Sequence, residues 1–134
     1  MTKKDLQEYY WLKGGIRKLE DRLAELETKA AKVNSALTGM PKQSQNRDSL
    51  GEVIIKIIDT QQLINSQLTK AYVKIAEIEN AIEVLPEKEK YLIRSRYIEC
   101  KSWEQIAVDM NYSWQHIHRL HSEALTRLRK DESK

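Results

Sequence analysis

Phenylalanine is absent from the 134 residues, and aromatics make up only 7% of them. Cysteine occurs once, at Cys100, proline twice and glycine four times. Each shortage excludes something. A lone thiol rules out a disulfide framework and a Cys-rich zinc module, and suits a reducing cytoplasm. So few Gly and Pro argue against an all-β protein, which needs a turn about every ten residues. No apolar run approaches the ~20 residues of a membrane span, and Met-Thr-Lys-Lys leads into Asp5 instead of an apolar signal core. Paired acids, a nucleophile with its base and a phosphate-binding Gly loop are also missing, so neither an enzyme nor a cofactor is expected. With 40% hydrophobic and 32% charged residues, the expectation is a cytoplasmic, all-α protein whose core is aliphatic and thin.

What is present is heptad periodicity. Apolar residues recur at Tyr9, Leu12, Ile16, Leu19, Leu23, Leu26, Ala30, Val33 and Leu37, and again at Ile54, Ile57, Ile64, Leu68, Ala71, Ile75, Ile78, Ile82 and Leu85, with Gln61 the one polar interruption. Seams this long read as coiled coil. Gly14-Gly15 is a weak point where a kink or frayed start is expected. Residues 38–51, with Gly39 and Pro41, read as a connector, and Ser49 with Glu52 as the capping box that starts the second helix. Thr2 with Asp5 is a similar box at the chain start. Residues 1–85 are therefore expected to form a long helical hairpin, an antiparallel coiled coil. An intermolecular coiled coil, and hence a homodimer, fits the same pattern, and Gln61 could fix the register in either.

At Leu85-Pro86 the pattern changes, since Pro suits a first helical turn and disfavours helix in the residue before it. Residues 86–134 are expected to form a separate domain of three or four short helices. One runs from Pro86 to about Ile98, with a break at Glu99-Cys100-Lys101. A second runs from Trp103 to Met110, boxed by Ser102 and Gln105, and a third from Trp114 to about Lys130. The latter two have helix-turn-helix spacing: Ala107 is small at the crossing, Asn111 takes the positive-φ turn, Tyr112 buries and Ser113 caps. Ile117 and Leu120 hold the last helix, which leaves Trp114, Gln115, His118 and Arg119 on its N-terminal face, where a recognition helix reaches base edges. The net charge is only +3, but residues 111–130 carry Arg119, Arg127, Arg129 and Lys130 against Glu123 alone. Double-stranded DNA is the partner this arrangement suits.

The run from Leu85 to Lys130 resembles the C-terminal promoter-recognition region of bacterial sigma factors. It opens Leu-Pro-Glu-Lys-Glu, passes through Arg96-Tyr97 and ends Ala-Leu-Thr-Arg-Leu-Arg. The whole chain, with a heptad hairpin first and Gly-Met-Pro in the connector, resembles the ArpU/RinA-type phage late-gene regulators. The resemblance implies a small phage or prophage regulator with a sigma-like reading head, an activator of late genes that contacts RNA polymerase. Two departures stand out. Cys100 occupies a position where sigma factors usually have Gly, so the break there is expected to be made differently. Trp114, Gln115, His118 and Arg119 stand where primary sigma factors commonly carry Arg, Glu, Arg and Gln, so another operator is expected. No region for promoter melting is apparent, and a complete sigma factor is not expected.

Arg119 is the first candidate for a base contact, through guanine, with a phosphate as the alternative. Gln115 suits adenine or lies solvated. Trp114 suits a thymine methyl, a sugar or simple packing, and His118 a base or a phosphate. Backbone contacts are assigned to Ser113, His121, Ser122, Arg127, Arg129 and Lys130, with a dipole-favoured helix end as the alternative for the basic tail. Trp103, Tyr91 and Tyr97 are expected in the core. His116, His118 and His121 do not form a metal set, because only the last two share a face and no further ligand completes them. Two other functions remain open: a phage terminase small-subunit-like packaging protein, and a polymerase-binding adaptor that does not itself bind DNA.

Overall fold

The Thr2 hydroxyl accepts from the Asp5 N–H at 3.3 Å, while the Thr2 N–H donates to the Asp5 carboxylate at 2.9 Å. The bond from the Thr2 N–H, and then one from the Thr2 hydroxyl at 3.0 Å, hold the Asp5 carboxyl below its ordinary range. In the computed structural model, which describes residues 1–39 and 44–132, this reciprocal cap starts α1, Lys3–Gly39. There follow α2, Ser44–Ile82; α3, Glu87–Ile93; a π-helical turn, Arg94–Ile98; α4, Trp103–Met110; and α5, Trp114–Glu132. No strand occurs among the described residues. The architecture is the expected all-α one, a long helical hairpin followed by a helix-turn-helix. Packing divides the chain into two units, Gly14–Thr69, and Met1–Lys13 with Lys70–Lys134.

In the first of these units, α1 withdraws its heptad seam from water. Ile16 is buried and Leu19, Leu23, Leu26, Ala30 and Val33 are half-buried. The helix runs on through Gly14-Gly15, the pair where a kink or frayed start was expected. On α2 the seam needs correction at its start. Ile54 and Gln61 are exposed, and the buried positions are Val53 and Thr60. Val53-Ile54 and Ile57-Ile58 are adjacent apolar pairs, so two stripes one residue apart both reach Ile64. The stripe with Thr60 costs less to bury, because its hydroxyl donates to the Lys56 carbonyl at 2.7 Å, whereas a buried Gln amide would need several partners. Gln61 therefore lies outside the buried seam of this chain. α2 also begins at Ser44, so residues 44–51, expected in the connector, are helical and the Ser49–Glu52 pair lies inside the helix. Residues 40–43 of that connector lie outside the described residues.

The other unit contains more than residues 86–134. The start of α1 and the end of α2 run antiparallel, with Lys74 bonded to Glu8 at 2.8 Å and to Glu77 at 3.1 Å. Leu6, Tyr9, Ala71, Ile78 and Ile82 are buried there. A two-pronged Arg94–Glu79 pair, at 2.8 and 2.7 Å, ties α2 to the π turn and holds the Glu79 carboxyl below its usual range. Leu92, Ile106, Ile117 and Leu120 form the small core of α3, α4 and α5, with Trp103, Ala107, Met110 and Tyr112 against it. Tyr91, expected in this core, is 45% exposed. Pro86 stands one residue earlier than expected, as the N-cap of α3.

The break between the π turn and α4 is made by Cys100 itself, at φ 60°. That is a left-handed geometry which glycine adopts without steric cost. Holding it on a residue with a Cβ costs roughly 1 kcal/mol. Cys100→Gly is accordingly expected to raise thermal stability by about that amount. Gly14→Ala and Gly15→Ala should also stabilise, by up to ~1 kcal/mol each, since an added Cβ meets nothing within 4 Å at either site. Thermal melts of the three variants check both statements.

Candidate nucleic-acid interface

The geometry of the interface is set by two caps and a turn. Ser102 accepts from the Gln105 N–H at 3.1 Å and starts α4. The expected box closes on that side only, because the Gln105 amide donates to Asp109 at 2.8 Å instead. This bond and Lys101 hold the Asp109 carboxyl below its ordinary range. Asn111 ends α4 at φ 56°, the left-handed position for which Asn is suited. The Tyr112 N–H reaches back to the Ala107 carbonyl at 3.0 Å. Ser113 then caps α5, accepting from the His116 N–H at 3.1 Å. Ile117 and Leu120 point into the core, so the opposite side of the first turns of α5 faces solvent.

On that side Trp114 is 59% exposed, and Gln115 and Arg119 are exposed. His118 is half-buried, its ring 3.9 Å from the Trp114 ring and 4.8 Å from the Trp103 ring. Its Nε2 is buried with no partner among the described residues. Further along, Arg119, Ser122, Arg127 and Lys130 line one shallow recess of about 370 Å3, with Thr126 and Glu123. Arg129 is exposed but lies outside it.

Two of the expected backbone contacts have other work. His121 is 6% exposed, stacked near Tyr97 and edge-on to Trp103, and its Nε2 meets the Tyr97 hydroxyl at 2.6 Å. A side chain enclosed in this way reaches no phosphate, so its assignment is withdrawn. Arg127 donates from Nε to Glu89 at 3.0 Å, and Glu89 is 2% exposed. Arg127 is thus first the partner of a buried carboxylate that would be costly to leave alone. His116 stacks on Tyr112 at 4.1 Å, while His118 and His121 share the Trp103 ring. Among the described residues no three His, Cys, Asp or Glu are placed to hold a metal ion.

Sequence reasoning missed Glu89 and the supporting part of Trp103. Glu89 stands four residues after Leu85 and three before Leu92, so the apolar stripe of α3 could have revealed it. The role of Trp103 depends on meeting α5 in space, which no spacing encodes. Arg96 also holds the site, its guanidinium 4.6 Å over the Trp103 ring and donating to the Lys101 carbonyl at 2.9 Å.

This is the arrangement of a helix-turn-helix. Residues 81–130 match the family model for sigma-70, region 4. No curated protein and no solved structure matches the chain. The matched stretch begins at the last residues of α2 and takes in α3, the π turn, α4 and nearly all of α5, so the sigma-region-4-like helix-turn-helix is a recognised part of the chain. No helix among the described residues is long and apolar enough to cross a membrane.

Burial, and then the nearby charge of Lys3, lower the pKa of His121 from 6.5 to about 4. The unfolded chain therefore binds a proton between those pH values that the folded chain refuses, and stability falls as pH drops through that window. The full loss is on the order of 3 kcal/mol below pH 4. His121→Gln should flatten the dependence of denaturant midpoint on pH between pH 4 and 6.5.

Proposed function

We propose that the protein is a sequence-specific DNA-binding regulator of transcription, of phage or prophage type, that activates late genes. The observation that carries this reading is the solvent-facing start of α5. Trp114, Gln115 and Arg119 project from a capped helix whose other side is locked into the core. The N-terminal turns of such a helix fit the major groove. Arg119 pairs with guanine, Gln115 with adenine, and Trp114 packs on a thymine methyl or a sugar. His118, held between Trp103 and Trp114 with its Nε2 buried, supports the indole of Trp114.

Residues 86–134 carry the reading, and residues 1–85 serve oligomerisation or docking. The match to sigma-70 region 4 supports a role in transcription. Members of that family bind DNA and RNA polymerase, and a chain of this kind acts in the cytoplasm on polymerase that already holds a sigma factor. Its part is recognition and not catalysis. Phosphates are met by Ser122, Lys130 and the terminal nitrogens of Arg127 in the recess, and by Ser113 and Arg129 outside it.

Selection of bound duplexes from random DNA gives the operator, after which binding is measured against salt. Some four to six phosphate contacts give a log–log slope of about −4 to −5. Arg119→Ala is expected to weaken binding by roughly 1–3 kcal/mol and to relax preference at one base pair. Arg129→Ala should weaken binding to all sequences alike and reduce the slope by about one. Unchanged affinity in Arg119→Ala would show that the reading face lies elsewhere.

A further inference from the structure

A cavity of about 460 Å3 opens against Trp103, within the same compact unit as the helix-turn-helix. Lys3, Tyr10 and Trp11 line it from α1, and Arg96, Ser102 and Trp103 from the other wall. No carboxylate is among its lining residues. Among the described residues Lys3 makes no ion pair, and its charge reaches as far as His121 on α5. Arg96 lies over the Trp103 ring, with one N–H committed to the Lys101 carbonyl and the rest of its fork available. Trp11 is 71% and Tyr10 52% exposed, their rings edge-to-face at 5.2 Å.

Two cations with no acid between them favour an anion. Exposed aromatic faces beside them favour something with an apolar side. A sugar-phosphate backbone has both: its phosphate takes an ammonium and a guanidinium, and its deoxyribose lies on an indole. Trp103 connects this cavity to the reading face, since its ring also meets His118, which meets Trp114.

We propose that the first turns of α1 are a second DNA-contacting element, in which Lys3 and Arg96 hold a backbone phosphate flanking the operator and Trp11 packs on the adjoining sugar. This rests on the reading of DNA by α5 and adds a contact outside the helix-turn-helix. It makes the hairpin part of the DNA-binding surface.

The test compares the full chain with Lys3→Gln and Trp11→Ala on two duplexes, one with long flanks and one trimmed just beyond the base pairs read by α5. On the long duplex each substitution is expected to weaken binding about three- to tenfold with sequence preference unchanged, and Lys3→Gln to reduce the salt slope by about one. On the trimmed duplex the differences should vanish. Both side chains are exposed, and thermal melts are expected to match the parent protein. If both variants bind the long duplex like the parent while Arg119→Ala is weakened, the flanking contact is wrong and the reading head stands. If Arg119→Ala shows no loss, the reading and this contact fall together.

Discussion

The pose of α5 depends on His121 remaining neutral. Its ring is enclosed by Tyr97 and Trp103, and its one polar bond is to the Tyr97 hydroxyl. The same burial drives the Tyr97 phenol up to about 12, so both groups are uncharged at ordinary pH. A second proton on the ring would place a charge in the interior, close to Arg96 and Lys3 and with no acid among the described residues to offset it. From this neutral pair the aromatic contacts run outward. Trp103 touches His121 and His118, and His118 touches Trp114 at the surface. A chain with no Phe has placed a large share of its few rings along one line from the core to the exposed face of α5.

Charge does the complementary work of joining elements. Arg94 grips Glu79 with two bonds, Arg127 meets the buried Glu89, and Lys74 bridges to Glu8. The pairs differ in weight. Lys74–Glu8 and Arg94–Glu79 are partly exposed and contribute modestly. Glu89 is buried, and removal of its partner would leave a carboxylate without compensation. Arg127 thus shows how a basic helix tail can be partly structural, its Nε committed to Glu89.

Much of the reading head was legible because each position has a local cause. Ser102, Asn111 and Ser113 do what their chemistry allows nearly anywhere: cap, turn and cap. The long seams were legible from periodicity, as was the all-α class. Periodicity failed where two phases were equally apolar. Val53-Ile54 and Ile57-Ile58 give two parallel stripes, and the choice between them went to the residue whose hydroxyl could be satisfied within its own turn. It failed also at His121 and Arg127, residue types that usually signal surface, because their partners Tyr97 and Glu89 lie 24 and 38 positions away. Cys100 misled in the other direction, since an unusual residue type held an ordinary glycine geometry.

The π turn at Arg94–Ile98 places Tyr97 against α5 through one extra residue in the helical repeat. Each residue of an α-helix turns the chain by about 100°. A π turn closes its hydrogen bonds one residue later than an α turn, so the extra residue is absorbed where it stands and the chain on either side keeps its face. The turn thus brings Tyr97 to His121 and Arg96 over Trp103 with one residue more than an α turn would use. An insertion in α3, with no such turn to absorb it, would swing everything after it to another face, and the length from Glu87 to Trp103 is in that sense a ruler for how α4 and α5 are presented.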